Sequence, residues 1–220
     1  DRAVLESAAI LGKKFTFDLL MELYTARNAG AVRDSPVADA INMAVTRHVL
    51  ERAGEGDEFC FIHDRIREAF LVNLDIEEKK KLHAIIAGIF EKRSGRQGAP
   101  SVFELFDHYS EAGLDDKILN YGLSAAALAM NDHSYRDAIS YYESVKAVLD
   151  GWDRDSFDET MKSQWLECMR GLGVSCSRAG DAQRSVSLFE EVLPHLDDSR
   201  DKADLYKHLS RACFRLGDLE

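Results

Sequence analysis

Apolar residues recur at helical spacing along most of the chain. The clearest example lies between residues 82 and 90, where apolar side chains follow the i, i+3, i+4, i+7, i+8 pattern of one helix face: Leu82, Ile85, Ile86, Ile89 and Phe90. Only three prolines interrupt the sequence, and each stands where a helix can begin or end. These patterns predict a mainly α-helical protein with long helices.

The first 98 residues combine short helices with a small hairpin. Two amphipathic patterns precede a third helix, which is predicted from about Pro36 to Arg47. Two β-like segments, 47–50 and 59–62, then flank a glycine-rich turn. Three helices followed by a hairpin are the outline of a winged helix, so residues 1–98 are predicted to form a winged-helix-like module.

Two further helices complete this module. Asp64 stands at the predicted start of the first, where its carboxylate can cap the helix. The second contains the apolar run of residues 82–90. It is predicted to end before a linker rich in serine and glycine at residues 94–98.

Residues 99–220 show the pattern of tetratricopeptide-like (TPR-like) helical hairpins. Such repeats need small residues where paired helices cross, an aromatic residue in the second helix, and a glycine or similar residue at the turn. Turns are predicted at His133, Gly180 and Gly217. The residues predicted to pack at the crossings are Ala125, Ala126, Ala138, Tyr142, Val145, Leu172, Gly173, Phe189 and Val192, with Leu209 and Ser210 in a partial third copy. The prediction for this region is an α-solenoid of TPR-like hairpins.

Both ends of the sequence lie inside predicted helical elements. The chain begins without methionine, and it stops shortly after Gly217, where the second helix of a hairpin is expected. We therefore expect a fragment of a longer protein, truncated at its C-terminus. Truncation would expose helix positions that the parent protein covers.

Charge is distributed unevenly between the two regions. Residues 1–98 are nearly neutral, whereas residues 99–220 account for −10 of the total formal charge of −11. Proteins that bind nucleic acids need a basic surface, because phosphate contacts supply much of their affinity. The sequence predicts no nucleic-acid partner.

No catalytic motif accompanies this helical pattern. The sequence lacks a GxxxxGK[ST] phosphate loop, a GxGxxG segment after a strand, a GxSxG elbow and an HExxH metal motif. The seven histidines are scattered, without the spacing of a metal site. We expect neither enzymatic activity, nor a metal site, nor a bound cofactor in this chain.

Cysteine and apolar content bear on the cellular compartment. The four cysteines show no CxxC pattern, and each lies among apolar residues, so buried reduced thiols are predicted. No segment approaches the roughly 20 apolar residues that a membrane span needs. We expect a cytoplasmic protein with no membrane partner.

One histidine differs from the others in its neighbourhood. His63 follows a predicted strand directly and precedes a predicted helix. Helix N-termini have partial positive charge and unpaired N–H groups, which favour a nearby phosphate. From spacing alone, both a phosphate contact and a purely structural histidine remain open.

Two segments carry a resemblance to a known family. Residues 5–15, LESAAILGKKF, resemble the start of the winged-helix region of STAND-class signal-transduction ATPases, which are relatives of NB-ARC and AAA+ proteins. Residues 61–70, FIHDRIREAF, resemble that family's xxHDxIRE segment. They are also similar to the MHD motif of NB-ARC proteins, whose histidine contacts the β-phosphate of bound ADP. Ile62 stands where that motif has methionine.

The resemblance implies a place in a larger protein. The family's order is an ATPase core, a winged helix and then helical repeats, and the last two account for essentially this whole chain. His63 would then contact a nucleotide phosphate in the full-length protein, which would use ATP or ADP with Mg. Family members have kinase, nucleotide cyclase or DNA-binding output domains, and the sequence does not choose among them.

A second candidate site follows from the TPR-like pattern. First-helix positions of successive repeats line the concave groove of such a solenoid. Five basic residues occupy these positions: Arg170, Arg178, Lys207, Arg211 and Arg215. A basic strip in an acidic domain would suit an acidic peptide or a terminal carboxylate. Alternatively, acids such as Glu167 and Asp204 pair with these cations on the helix surface.

Three hypotheses for function remain at this stage. The first is a regulatory segment of a nucleotide-regulated signalling protein, whose repeats bind a partner protein or an output domain. The second is a DNA-binding winged helix, although the predicted third helix has Arg47 as its only basic residue. The third is a plain TPR scaffold in which the N-terminal module is only a cap.

Overall fold

The computed structural model describes five stretches of the chain: residues 2–28, 34–54, 56–93, 100–196 and 198–217. Within them the fold is mainly α-helical with one small antiparallel sheet, as the helical periodicity predicts in outline. The predicted linker at 94–98 lies outside the described residues. None of the helices described is both long enough and apolar enough to cross a bilayer.

By its contacts the chain divides into two compact units, Asp1–Leu114 and Asp115–Glu220. The sequence analysis set the domain boundary after residue 98 and so assigned the helix Val102–Ala112 to the repeats. In the structure this helix packs against the helix before it and is grouped with the first unit.

The first unit consists of six helices and three strands among its described residues. In chain order they are α1 (Arg2–Leu11), β1 (Lys14–Thr16), α2 (Phe17–Arg27), α3 (Asp34–Thr46), β2 (Leu50–Arg52), β3 (Glu58–Phe61), α4 (Asp64–Val72), α5 (Ile76–Arg93) and α6 (Val102–Ala112). The sheet has the order β1-β3-β2, and both pairings are antiparallel. The central strand β3 therefore pairs along both of its edges.

Strand β1 is an addition to the predicted hairpin. It pairs with β3 so that Phe15 lies opposite Phe59, with ring centroids 6.1 Å apart. A strand of three residues with one buried side chain is too short to show the alternation that reveals strands in a sequence.

The first predicted strand, at 47–50, was misplaced. Residues 47–49 form a turn instead, in which His48 has a positive φ of 55°, and β2 begins at Leu50. The second predicted strand, at 59–62, overlaps β3 closely.

Helices α1 to α3 pack on the sheet around an apolar core. Its largest fully buried members include Leu20, Ile41, Leu50 and Phe61. A second, smaller cluster involves α1, α2 and α5, to which α5 contributes Leu82 and Ile86 from the predicted apolar face.

The second unit is a row of helices in which each helix packs on the next. They are α7 (Asp115–Asn131), α8 (Tyr135–Asp150), α9 (Glu159–Ala179), α10 (Ala182–Val192) and α11 (Ser199–Gly217), with short 3₁₀ turns at Arg154–Ser156 and Leu193–His195. The predicted turns at His133 and Gly180 are present, and both residues have left-handed backbone, with φ of 62° and 97°. The odd-numbered helices α7, α9 and α11 also contact one another in succession.

Close helix crossings explain the small residues of this unit. A Cβ atom added at Gly173 in α9 would lie 2.5 Å from the ring of Phe189 in α10, so that only glycine fits there. The residues predicted to pack in the first two hairpins are buried.

The prediction for the third copy was wrong in part. Ser210 is exposed and Leu209 is only partly buried. The packed face of α11 instead contains Leu205 and Ala212, seven residues apart.

The prediction that all four thiols are buried was also wrong at one position. Cys60, Cys168 and Cys176 are buried, whereas Cys213 is exposed. Cys213 follows Ala212 directly, so it lies about 100° around α11 from the packed face.

Candidate functional site

His63 lies at the junction between β3 and α4. It is the N-cap residue of α4, with extended backbone, and its carbonyl accepts a hydrogen bond of 3.0 Å from the amide of Ile66. Its imidazole is exposed and makes no capping hydrogen bond. The sequence analysis named Asp64 as the cap, which was wrong by one residue, because Asp64 is already the first helical residue.

The two segments that resemble the STAND family lie against each other. The Nζ atom of Lys13 is 3.1 Å from Oδ2 of Asp64, and the amide of Phe61 donates a 2.9 Å hydrogen bond to the carbonyl of Lys13. The Nε atom of Arg67 donates a 2.9 Å hydrogen bond to the carbonyl of Ala9, near the end of α1. These contacts hold the start of α4 against residues 9–13 and give His63 a fixed backbone position.

The five predicted groove cations separate into two sets. Arg178 of α9 and both Arg211 and Arg215 of α11 line one cavity of about 360 Å³, which we call the basic cavity. Arg170 instead pairs with Asp201 at 3.5 Å, and Lys207 pairs with Asp204 at 2.7 Å. The structure therefore brings three of the five together and neutralises the other two.

The arginines of the basic cavity differ in what they contact. Arg215 donates a hydrogen bond to the carbonyl of Ser177 near the end of α9, where the carbonyls of a helix have partial negative charge. Arg178 and Arg211 are exposed, and neither forms an ion pair with another residue in the described part of the chain. Their guanidinium groups remain available to an anion.

His208 is a member of the basic cavity that the sequence analysis did not select. Burial lowers its pKa, and the nearby charges of Arg211, Arg178 and Arg170 lower it further, against an opposing effect of Asp204. Its ring centroid lies 6.0 Å from that of Phe189. The lowered pKa, caused first by burial and then by these arginines, favours a neutral imidazole at the cavity wall.

A signal for His208 was present in the sequence. On α11 it precedes Arg211 by three residues and Arg215 by seven, and this spacing puts all three on one helix face.

A metal site is not formed by these residues. Among the stretches that the structure describes, no group of three or more His, Cys, Asp or Glu side chains could hold a metal ion. The basic cavity suits a ligand with anionic oxygens, because guanidinium groups bind carboxylates and phosphates through parallel N–H donors.

Comparison with known proteins adds no support for a particular function, so a functional assignment rests on the residues described above. No protein-family model matches the chain, and neither a curated protein nor a solved structure matches it significantly. The resemblance of residues 5–15 and 61–70 to the STAND family stays a prediction.

Proposed function

We propose that this chain is a non-catalytic regulatory and protein-interaction segment of a larger, cytoplasmic, nucleotide-regulated signalling protein. The element order of the first unit supports a winged-helix-like module, since three helices are combined with a three-stranded antiparallel sheet whose last two strands form a hairpin. The helix pairs of the second unit, with left-handed turns and close crossings, support TPR-like repeats.

The basic cavity is the observation that carries the proposed interaction. It lies between α9 and α11, which are first helices of successive hairpins, and it presents Arg178 and Arg211, which have no acidic partner among the residues that the structure describes. A peptide or output domain with exposed Asp or Glu side chains is the partner that this surface suits. Charge-assisted hydrogen bonds of this kind contribute about 1.5–3 kcal/mol each.

Binding of an acidic peptide tests this proposal. A fluorescein-labelled peptide of alternating aspartate and glycine should bind in a fluorescence anisotropy titration, and more weakly as salt is added. Arg211→Glu should weaken binding by about 10- to 100-fold, the equivalent of one charge-assisted hydrogen bond. The exposed Arg200, near the start of α11, offers a matched control, because Arg200→Glu changes the net charge equally about 16 Å along the helix from Arg211 and outside the basic cavity. Equal losses in both variants would contradict a specific site.

Nucleotide sensing is the second part of the proposal and concerns the full-length protein. It is supported by the exposed imidazole of His63, which stands at the positive end of α4. The ATPase core of the parent protein would supply the nucleotide and Mg site, and His63 would add a phosphate contact from the winged-helix-like module. A plain TPR scaffold would have no such contact, so the effect of replacing His63 separates the two hypotheses.

DNA binding is the weaker alternative. Helix α3 is the element that a winged helix would place in the major groove. Its sequence, DSPVADAINMAVT, contains two aspartates and no basic residue. A helix of this composition has no cationic side chain to neutralise phosphates and no Arg or Lys to contact guanine.

A further inference from the structure

The wall of the basic cavity is polar almost throughout. Its lining residues are Val174, Ser177 and Arg178 of α9, with His208, Arg211 and Arg215 of α11. Val174 is the only apolar residue among these six, and none of the six is acidic. A group that enters the cavity therefore meets N–H and O–H donors, and no carboxylate of the lining repels an anion.

Two guanidinium groups bring unpaired charge to this cavity. Arg178 on α9 and Arg211 on α11 form no ion pair within the part of the chain that the structure describes. The charges of both reach His208, whose pKa is lowered first by burial and then by these arginines. Both guanidinium groups therefore lie near one imidazole. A cleft lined by charge of one sign concentrates the field and attracts a counter-ion.

Other groups of the cavity add donors without adding an acid. Arg215 donates a hydrogen bond to the carbonyl of Ser177, which leaves most of its five N–H donors for a ligand. Ser177 can also donate through its hydroxyl group. Asp204 acts on His208 from outside the lining, but its carboxylate is paired with Lys207 at 2.7 Å.

A single carboxylate would satisfy only part of this arrangement. One guanidinium group can bind both oxygens of a carboxylate through two parallel N–H donors, and that pair is then neutral. The second free guanidinium group would keep its charge. A phosphate monoester has three terminal oxygens and a charge of about −1.5 to −2 at pH 7. One such group can therefore bind both guanidinium groups and nearly balance their charge.

Two separate carboxylates are a less favourable way to supply the same charge. Both side chains would have to enter one cavity of about 360 Å³, where their like charges repel each other. Both would also lose rotamer freedom on binding. A phosphate group brings the two charges on one side chain, and arginine clusters are a recurring means of recognising phosphorylated residues.

We propose that the basic cavity selects a phosphate monoester dianion, in which one phosphate group bridges Arg178 and Arg211. Arg215 and Ser177 donate to its remaining oxygen. This inference rests on the basic cavity being the interaction site proposed above, and it names the acidic group that the site prefers. Aspartate and glutamate side chains are then weaker ligands of the same site.

Two peptides of equal charge test this preference. Acetyl-Gly-Gly-phosphoserine-Gly-Gly-amide and acetyl-Gly-Asp-Gly-Asp-Gly-amide each carry about two negative charges at pH 7.5. In calorimetric titrations of the whole chain, the phosphopeptide should bind about tenfold more tightly, the equivalent of one further charge-assisted hydrogen bond. Equal or tighter binding of the aspartate peptide would overturn this inference and leave the proposed acidic-peptide interaction standing. Binding of neither peptide would overturn both.

Single variants that remove one charge test the bridging geometry. Arg178→Gln and Arg211→Gln should each reduce the preference for the phosphopeptide from about tenfold to about twofold or less, because one free guanidinium group remains. Arg200→Gln removes the same charge outside the cavity and should keep the full preference. All three arginines are exposed, so melting temperatures should stay within a few degrees of the parent's. A preference that survives in both cavity variants would place the phosphate elsewhere.

Inorganic phosphate distinguishes two sources of the dianion. Phosphopeptide affinity at least about tenfold above that of inorganic phosphate supports a phosphorylated segment of a protein, because backbone contacts then add to binding. Equal affinities support a small phosphate compound. In either case inorganic phosphate should displace the phosphopeptide, and failure to compete would overturn recognition of the phosphate group itself.

Discussion

The guanidinium group of Arg27 lies 3.4 Å from the carboxylate of Glu6, and both side chains are largely buried, at 16% and 10% exposure. Arg27 also donates hydrogen bonds to the carbonyl of Ala3, at 2.8 Å, and to the hydroxyl of Ser7, at 3.1 Å. A second ion pair joins it to Glu78 at 3.0 Å. One side chain at the end of α2 therefore links α1 and α5.

Removal of this arginine should destabilise the first unit strongly. Arg27→Ala leaves the buried Glu6 carboxylate with only the more exposed Arg2, at 2.8 Å, and also removes the ion pair with Glu78. We expect the free energy of unfolding to fall by about 2–3 kcal/mol. Arg93 forms a more exposed pair with Glu22 at 2.6 Å, and Arg93→Ala should cost at most about 1 kcal/mol. Urea denaturation of both variants measures the difference. Similar losses would show that burial of the Arg27 network contributes nothing extra.

This network shows which features of the fold a sequence pattern can reveal. The apolar face around Leu82 and Ile86 was predictable, because helical periodicity is local. The partners of Arg27 lie in α1 and α5, up to 51 residues away in sequence, and no local pattern connects them. Strand β1 was missed for a related reason, since its three residues are recognisable only by their pairing with β3.

The candidate sites also divide into features that local sequence reveals and features that depend on tertiary packing. The sequence located His63 and the basic face of α9 and α11. The pairing of Lys207 with Asp204, three residues away, was foreseeable as a helix-surface pair, whereas the pairing of Arg170 with Asp201 depends on how α9 and α11 pack.

The turn after α9 should tolerate only glycine. Gly180 is the C-cap residue of α9 with φ of 97°, a conformation in which a Cβ atom is strained although the surrounding space is open. Gly180→Ala should lower the free energy of unfolding by about 1–2 kcal/mol. Gly88, within α5, also has open space around it but lies in the interior of a helix, so Gly88→Ala should be neutral or stabilising by up to about 1 kcal/mol. Thermal denaturation should therefore show a lower melting temperature for Gly180→Ala and an unchanged or higher one for Gly88→Ala.

The pairing of α5 with α6 should weaken in mild acid. The Nδ1 atoms of His83 and His108 lie 2.9 Å apart, so one ring donates and the other accepts, and both are neutral. Burial, followed by the charge of His83, lowers the pKa of His108 to about 4, and burial also lowers the pKa of His83. Between the ordinary histidine pKa of about 6.5 and pH 4, the unfolded chain binds more protons than the folded one, so stability falls as the pH falls through this window.

Urea denaturation at pH 7.5 and pH 5 measures this effect. The burial-raised pKa of Asp107 acts in the opposite direction, because its folded state binds the proton more readily. A comparison with His108→Gln, which keeps Asp107 but cannot titrate at residue 108, separates the two. The variant should lose less stability between the two pH values than the parent. An unchanged pH dependence would assign the acid sensitivity to other groups.

Duplex DNA should not bind at physiological salt. The first unit offers no basic residue on α3, and the second half of the chain has a net charge of −10. Like-charge repulsion therefore opposes approach to the phosphates. A gel-shift assay with random duplex measures this, and salt-sensitive retention would revive the winged-helix DNA hypothesis.

Nucleotide regulation should depend on His63 in the full-length protein. His63→Ala would remove a hydrogen bond to a charged phosphate, which corresponds to about 1.5–3 kcal/mol, or one to two decades in ADP affinity. Because ADP would stabilise only the closed state, weaker binding should shift the population towards the active form. ADP release rate and melting temperature should be measured on the same variant. A lower melting temperature with unchanged release would show that His63 only packs at the junction.

The antiparallel pairing of β1 with β3 has a consequence for how the two units fold. It joins Lys14 to Cys60 and closes a loop that contains α2, α3 and β2. Closing so long a loop costs chain entropy before the strands gain any stabilising contacts. Non-local pairing of this kind therefore slows folding. The helices of the second unit pack mainly on their neighbours in sequence, so they have low contact order and can form one hairpin at a time. The first unit should therefore acquire its structure later than the second, even though it is nearer the N-terminus.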